Sequence, residues 1–382
     1  MATDTMTLWG SPHSLYTGKV RSYLIKKGLP FREQTLAHPR FQAEIVPAVR
    51  HMVVPVLELA DGTLLQDSSE IIETLEARYS ANPMLPVTPV QLCVARLLDA
   101  FGTDGLIGPA MHYRWSYRAE QETFLQAEFG RAVYHGSSRE ERNATGLALM
   151  DYFSNFLPGL GVTAETIPAI EASYEAFLDV LDTHLQCQPY LLGGRPTVAD
   201  FGLMAPLFAH LARDPVPAHL MKLKAPNVFR WTERMNLANV TDGEFPECHG
   251  EWLADDAIPA TLEPVLAHIF ADWGPQWLAD AALFNTWCGD QPAGTAVEVR
   301  GERKVHQTLG MVTAPLRGVP MMRASAPNGL WLLDKALAVN TAMDGAAAER
   351  SQALIARTDG DAVMAIRLAR GMRRDDYALV LQ

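Results

Sequence analysis

The sequence predicts an α/β domain, an all-α helical-bundle domain and a mostly helical C-terminal extension with a possible short hairpin. Short apolar runs alternate with helical patterns over residues 1–82, whereas residues 88–240 are helical in pattern without a convincing strand. A proline-rich joint from Pro86 to Pro89 separates these two segments and predicts a linker. Residues 241–382 are expected to form the extension.

In the first domain the predicted element order is β-α-β-loop-β-β-α, a small α/β unit. Gly28 is expected to end the first helix, because glycine readily adopts the left-handed conformation that closes a helix. Asp61-Gly62 predicts a tight turn between the last two strands. The predicted strands and helices are residues 6–10, 15–27, 31–35, 53–59, 63–66 and 67–79 in chain order.

In the second domain Thr197 and Asp200 have the spacing of a capping box. In this motif the Thr197 side chain caps the helix, and the Asp200 side chain reaches back to the amide of Thr197. In the extension, residues 261–288 have a helical pattern. The alternation from Val297 to Gly301 predicts a strand, and a helical pattern resumes after Pro327.

Charge argues against a nucleic-acid-binding surface. The formal net charge is −12, and phosphate binding needs a positive footprint. A short basic cluster near the end of the chain is predicted to be the solvated face of a helix; its members are Arg367, Arg370, Arg373 and Arg374.

From the cysteine spacing and the hydropathy we expect a cytoplasmic protein that binds no metal. The four cysteines form no CxxC pair, so neither a zinc ribbon nor a dithiol motif is predicted. The adjacent pair Cys248-His249 is weak as a metal site, and structural or surface roles for the cysteines are favoured. The start of the sequence has no targeting pattern, and no apolar stretch reaches membrane-spanning length, so no membrane partner is expected.

Three segments of the first domain are candidates for ligand binding. Pro55 begins a strand, and a cis Val54-Pro55 bond would turn the Val54 backbone outwards as an edge for a peptide-like ligand; an ordinary trans proline is the alternative. Asp67-Ser68 begins a helix, where free amides favour a carboxylate and the Asp67 side chain can hold an ammonium. Helix capping by Asp67 explains that pattern equally well.

The third candidate is Ser14, in the loop that leads into the first helix. A hydroxyl there can donate a hydrogen bond to a bound thiol, and lowering a thiol pKa of about 8.5 by roughly one unit makes much of it nucleophilic at neutral pH. The alternative is that Ser14 caps the helix.

Taken together, these segments resemble the N-terminal domain of glutathione transferases, a thioredoxin-like domain. The match consists of Trp9-Gly-Ser-Pro-His-Ser-Leu-Tyr-Thr-Gly-Lys-Val-Arg21, then Val54-Pro-Val-Leu57, then Asp67-Ser-Ser-Glu-Ile71. The family's all-helical second domain contains a capping box like that of Thr197 and Asp200, and it commonly closes near a motif like Pro226-Asn-Val-Phe-Arg-Trp231. The resemblance covers residues 1 to about 240.

The resemblance implies a serine-type glutathione site. Ser14 matches the activating serine, although Ser11 and Tyr16 also have hydroxyls nearby, and Trp9 stands near where other classes keep an activating tyrosine. Val54 would pair with the cysteinyl backbone, with Pro55 cis. Asp67 and Ser68 would hold the γ-glutamyl group. Val53 and Met52 replace the basic or amide residue that often meets the glycyl carboxylate; the nearest polar candidates are His51 and Arg50.

The resemblance also implies an enzyme with glutathione as co-substrate, a small-molecule electrophile as second substrate, homodimerisation and a role in detoxification. The second-substrate pocket is expected at a stretch that mixes aromatic surface with polar tips: His112, Tyr113, Arg114, Trp115 and Tyr117. The alternative for this stretch is core packing. The alternative for the whole chain is a non-catalytic binding or assembly module.

Overall fold

A computed structural model describes residues 5–297 and 308–382. The first domain is a four-stranded sheet of order β2-β1-β3-β4, in which β1 is parallel to β2 and antiparallel to β3. Its strands are β1 (Met6–Trp9), β2 (Phe31–Gln34), β3 (Val56–Glu58) and β4 (Leu64–Gln66), and its helices are α1 (Leu15–Lys27), α2 (Val46–Val49, after a π-helical turn at Phe41–Ile45) and α3 (Ser68–Arg78). This is the predicted thioredoxin-like arrangement.

The sheet of the first domain separates two apolar layers. On one side, Leu8 and Leu57 pair across β1 and β3 and join the main core with Tyr23, Ile71 and Leu75 of helices α1 and α3. On the other side lies a smaller cluster that consists of Trp9, Phe41, Ile45, Val49 and Val56. The alternation of side chains along a strand explains how one strand serves both layers.

A glycine and a proline set the ends of two elements in the first domain. Gly28 ends α1 with φ of 75°, the left-handed conformation that glycine adopts at little cost. Strand β3 begins only at Val56, later than the predicted residue 53. Proline lacks the amide hydrogen that a strand ladder needs, so the ladder starts after Pro55.

The second domain is all-helical, as predicted. Thr197 and Asp200 form the capping box of α9, and Asp200 also accepts a hydrogen bond of 3.2 Å from the indole of Trp231. The family-like motif that ends at Trp231 therefore stabilises the start of α9. The helices are α4 (Pro89–Ala100), α5 (Ile107–Trp115), α6 (Arg118–Val133), α7 (Arg139–Ser154), α8 (Ile167–Cys187), α9 (Val198–Pro206), α10 (Pro215–Lys224) and α11 (Pro226–Met235).

The extension contains five α-helices and two hairpins among the described residues. These are α12 (Glu263–Asp272), α13 (Gly274–Cys288), β5 (Gly310–Leu316), β6 (Val319–Ser325), α14 (Pro327–Ala342), α15 (Gly345–Arg357), α16 (Asp361–Met364), β7 (Met372–Asp375) and β8 (Ala378–Leu381). The expected helices are confirmed. Of the strand predicted over Val297 to Gly301, only Val297 lies within the described residues; it donates a main-chain hydrogen bond to Leu379.

The prediction for the basic cluster is wrong. Arg373 and Arg374 lie on strand β7, and Arg367 and Arg370 lie in the segment before it. Arg370 bonds the carbonyl of Gln382 rather than facing solvent from a helix. Strand β7 pairs with β8, and the local spacing of the arginines does not reveal this pairing.

The extension shares the core of the first two domains. Helix α14 packs along α4, and Leu97, Leu178, Trp277 and Leu333 belong to one continuous cluster of buried apolar residues. Asp256 caps α4 from the extension by accepting the amide hydrogens of the residues at positions 90 and 91, at 3.0 and 2.8 Å. No helix among the described residues is both long and apolar enough to cross a membrane.

Candidate functional site

The loop before α1 places Ser14 at the N-terminus of that helix. The Ser14 hydroxyl accepts the amide hydrogen of Thr17 at 3.4 Å, so Ser14 caps the helix. The side chain remains half-buried, and no residue in the described part of the chain accepts its hydroxyl hydrogen. Capping uses only an acceptor lone pair, and therefore the hydroxyl can still donate to another group.

The two other hydroxyls near Ser14 are differently placed. Tyr16 donates its hydrogen to the carbonyl of Thr103 at 3.1 Å, and burial, aided by Asp104 and Asp67, raises its pKa. Ser11 is buried, with its hydroxyl 3.5 Å from a ring nitrogen of His13. Of the three hydroxyls, that of Ser14 is both partly accessible to a ligand and free to donate its hydrogen.

Val54 and Pro55 are joined by a cis peptide bond. Pro55 is buried and Val54 half-buried, directly before β3. Within the described residues the Val54 amide and carbonyl have no hydrogen-bond partner, whereas β3 is fully paired from Val56 onwards. A partly accessible main-chain donor and acceptor in this position can pair with an extended peptide-like ligand.

Asp67 uses its two carboxylate oxygens for different contacts. One oxygen accepts the amide hydrogens of Ser69 and Glu70 at 2.9 and 3.2 Å and so caps α3. The other oxygen accepts a hydrogen bond of 2.7 Å from the guanidinium of Arg374. Ser68, the first residue of α3, is buried. Capping and cation binding are thus compatible in Asp67, rather than alternatives.

A buried ion pair fixes α1, and with it the Ser14 loop, against the second domain. The ammonium of Lys19 lies 2.5 Å from a carboxylate oxygen of Asp99, and it also donates to Ser69 at 2.8 Å and Thr103 at 3.2 Å. Lys19 is fully buried. Because all three ammonium hydrogens have acceptors, the charge is compensated where water is excluded.

Arg50 and His51 follow α2 in the chain and precede Val54. Arg50 is exposed and adopts a left-handed conformation with φ of 60° at the end of α2. Its guanidinium pairs with Asp376 of the extension at 2.5 Å. His51 is half-buried. Both are therefore in a position to meet a ligand that runs past Val54.

The stretch proposed for a second substrate is largely interior. His112, Tyr113, Arg114 and Trp115 are buried on α5, and only Tyr117 is half-buried. Tyr117 stacks on Tyr113 with ring centroids 5.7 Å apart and donates a hydrogen bond to Glu171. His112 bonds the same carboxylate at 3.0 Å. These contacts are the ones expected if the stretch packs in the core, which is the alternative to a second-substrate pocket.

Arg114 has a further contact that reaches the Ser14 loop. Its guanidinium forms a bidentate pair with Asp214, at 2.6 and 2.8 Å, and donates to the carbonyl of His13 at 3.1 Å. His210 accepts at 2.6 Å, and burial lowers the pKa of that imidazole well below its usual value. Arg114 thus holds the residue before Ser14 in place from within the second domain.

Two residues of the extension complete the surroundings of the site and were missed from the sequence. Arg374 bonds Asp67, and Tyr377 packs with Val54 and Leu64 against the Trp9 cluster. Both residues are about three hundred positions from their partners. No local pattern signals such a pairing.

Two family models match the chain. The model described as "Glutathione S-transferase, N-terminal domain" matches residues 8–83, and the one described as "Glutathione S-transferase, C-terminal domain" matches residues 164–234. The first match includes every candidate residue from Trp9 to Ser68. The second includes the capping box and Trp231. Comparison with curated proteins found no match.

Similar solved structures include a glutathione S-transferase from Methylobacterium radiotolerans in complex with glutathione sulfonate, at 21% identity and a TM-score of 0.36, over 66% of this chain and 100% of that one. A glutathione S-transferase from Rhodospirillum rubrum has 18% identity and a TM-score of 0.36, over 68% and 98%. One from Methylobacillus flagellatus, with GSH bound, has 20% identity and a TM-score of 0.35, over 64% and 100%. The similarity to the family is carried by residues 8–83 and 164–234.

Proposed function

The chain belongs to the glutathione S-transferase family through residues 8–83 and 164–234, and on this premise we propose that it is a serine-type glutathione transferase. It binds glutathione in the first domain, stabilises the thiolate with Ser14 and directs the sulfur at a small electrophile. The observation that carries this proposal is the half-buried Ser14 hydroxyl, whose hydrogen has no acceptor in the described chain.

In this proposal Ser14 lowers the pKa of the bound thiol. The hydroxyl donates to the sulfur, and the N-terminus of α1 adds the positive end of a helix dipole. The thiol proton leaves to solvent, the thiolate attacks an electrophilic carbon, and the carbon–sulfur bond forms as the leaving group departs with its electron pair. Hydrogen bonds to the anion favour the charged form of the thiol.

The rest of glutathione is assigned by charge and hydrogen bonding. The free main chain of Val54 pairs with the cysteinyl unit. Asp67 holds the γ-glutamyl ammonium, and Ser68 with the first amides of α3 holds its carboxylate. Arg50 and His51 are the groups nearest the glycyl carboxylate, and Arg50 supplies the opposite charge.

The second substrate would approach the sulfur from the side of the second domain. Arg114 is a positioning residue in this proposal, because it holds the carbonyl of His13 and so the loop that presents Ser14. Misplacing a reacting group by about 1 Å can lower a rate by roughly a hundredfold. The neighbouring aromatic residues of α5 support that loop through packing.

One observation favours the alternative of a non-catalytic binding module. The carboxylate proposed for the γ-glutamyl ammonium is already paired with Arg374 of the same chain. A permanent pair would leave glutathione without its main charged partner. The two functions differ in whether glutathione can reach Asp67 at all.

Retention on glutathione resin and turnover of a generic aryl halide test the proposal. We expect both in the wild type, with turnover lowered about a hundredfold in Ser14→Ala. Saturating glutathione, at about one hundred times its dissociation constant, should stabilise the fold by roughly 2.7 kcal/mol, a measurable thermal shift. Absence of retention and of any shift at millimolar glutathione, in both the wild type and Arg374→Ala, contradicts the proposal.

A further inference from the structure

The C-terminal hairpin, residues 372–381, extends from the core of the extension to the first domain. Its base is anchored: Leu379 and Leu381 are buried, and main-chain hydrogen bonds join them to Val297 and Thr295 at 2.8 and 2.9 Å. Its tip, residues 374–377, lies beside the proposed glutathione site. Arg374 stands opposite Leu379 in the hairpin ladder, so the anchored base carries the side chains of the tip to the first domain.

Arg374 is the main polar contact of the tip. Its guanidinium donates to Asp67 at 2.7 Å and to Asn328 at 2.6 Å, and it lies 5.1 Å from the ring centre of Trp331. The side chains of Arg374 and Asp67 are each only 11% exposed, so their charge pair is shielded from solvent more than a surface pair is. Arg374 thus takes the place in which the ammonium of a γ-glutamyl group would lie.

The tip makes two further contacts along the path proposed for glutathione. Asp376 pairs with Arg50 at 2.5 Å, although both side chains are more than half exposed and the pair contributes little on its own. Tyr377 packs with Val54 and Leu64 against the Trp9 cluster, and its hydroxyl lies 3.4 Å from the carbonyl of Leu64. The tip therefore contacts the two charged groups, Asp67 and Arg50, that the proposal assigns to the ends of glutathione.

The charges of the tip follow the same order as those of glutathione. The tip presents a cation to Asp67 and a carboxylate to Arg50. Glutathione carries an ammonium at its γ-glutamyl end and a carboxylate at its glycyl end. The tip and the proposed ligand thus each place a positive group at Asp67 and a negative group at Arg50.

The turn of the hairpin supports a role for its side chains. Asp376 and Tyr377 have φ of 46° and 65°, conformations that favour glycine and asparagine in a two-residue hairpin turn. An aromatic residue there is uncommon and conformationally costly. The contacts of Tyr377 with the first domain offset that cost only while the tip is docked.

We propose that the hairpin tip is an intramolecular competitor of glutathione, which occupies the binding site until glutathione displaces it. This inference rests on the proposed function, since it assigns the same site two exclusive occupants. The open state is the binding-competent one, and the apparent affinity for glutathione is reduced by the fraction of open molecules. Changes that weaken the docked tip therefore tighten glutathione binding.

Calorimetric titration of glutathione into the full-length chain tests this inference with two tip variants and a matched control. Arg374→Gln removes the charge on Asp67. Tyr377→Gly removes the packing contact and suits the positive φ, so the hairpin itself should still form. Arg373→Gln is the control, because Arg373 is the neighbouring arginine of β7, is exposed and pairs only with Asp375 in the described chain.

We expect each tip variant to bind glutathione about tenfold more tightly than the wild type, and the control to bind as the wild type does. Equal affinities in all four proteins, or equal tightening in the control, overturns the inference and leaves the proposed function standing. Failure of all four proteins to bind glutathione overturns the proposed function itself.

Discussion

Arg374 donates a hydrogen bond of 2.7 Å to Asp67, although 307 residues separate the two along the chain. The pair joins the last hairpin of the extension to the first turn of α3. Asp67 still caps that helix through its other oxygen. The extension therefore reaches the carboxylate that the proposed γ-glutamyl site uses to hold the ammonium.

Asp67→Asn should separate ligand binding from helix capping. Asparagine caps a helix about as well as aspartate, so in the Arg374→Gln background, where no guanidinium is left without its carboxylate, the free energy of unfolding should change by less than about 1 kcal/mol. The loss of charge should weaken glutathione binding by about tenfold or more, since charge-assisted bonds are roughly twice as strong as neutral ones. Calorimetry and urea unfolding measure the two effects. Asp61→Asn, at an exposed turn of the same domain, is the control, and equal affinity in both variants would argue against a role for the Asp67 charge.

Ser14→Ala should lower the turnover number by about a hundredfold, the usual cost of losing one donor to a developing or bound anion. The same change removes the cap of α1 and should cost about 1 kcal/mol of stability. Tyr16→Phe tests the neighbouring hydroxyl: because Tyr16 already donates to Thr103, its removal should affect unfolding more than turnover. A larger loss of turnover in Tyr16→Phe than in Ser14→Ala would reassign the activating group.

The local structure around the candidate site residues could be predicted from the sequence. Ser14, Pro55 and Asp67 each stand where a loop meets a strand or a helix, and the chemistry of such junctions depends on residues within a few positions. The capping box at Thr197 is of the same kind. These predictions needed no knowledge of long-range packing.

The contribution of the extension could not be predicted in this way. The arginines from 367 to 374 are spaced so that a helix face is a reasonable interpretation, yet Met372 and Arg374 share one face of a strand. That strand depends on pairing with β8, and β8 in turn bonds Thr295 and Val297. Pairing over such distances leaves no trace in local periodicity.

Lys19→Met should destabilise the fold by about 3–5 kcal/mol, because it leaves the carboxylate of Asp99 buried without its partner. The double variant Lys19→Met with Asp99→Leu should recover part of that loss, since it removes both charges. Urea unfolding with an unchanged slope measures the effect. If the double variant is less stable than the single one, the pair contributes net stability and the unpaired-charge explanation fails.

Asp104 should make the stability of the fold depend on pH. Burial raises the pKa of this carboxyl from 3.8 to about 6, with Asp280 adding to the rise and Arg323 opposing it. A raised pKa in the folded state favours the protonated form, so this contribution to stability is present below about pH 4 and lost as the pH rises through about 6.

The wild type should therefore lose on the order of 2 kcal/mol relative to Asp104→Asn between pH 4 and pH 7, as measured by denaturant unfolding across that range. Only the difference between the two pH profiles matters, because the substitution also changes hydrogen bonding. Parallel profiles for the wild type and the variant would show that Asp104 is ionised normally in the folded protein.

Deletion of residues 241–382 should not leave a soluble remainder. The deletion uncovers the face of α4 on which α14 packs, and it removes Asp256, which caps α4. Expression followed by light scattering and thermal unfolding tests this expectation. A monodisperse remainder with one cooperative transition would show instead that the extension is a separable domain.

The pKa of the thiol of bound glutathione tests the central claim most directly. Ultraviolet absorbance of the thiolate, followed against pH with saturating glutathione, reports this value for the wild type and for Ser14→Ala. We expect the wild type to lower the pKa by about one unit or more from the free value of about 8.5, and Ser14→Ala to restore most of it. The same thiol pKa in both proteins would contradict the assignment of Ser14 as the group that stabilises the thiolate.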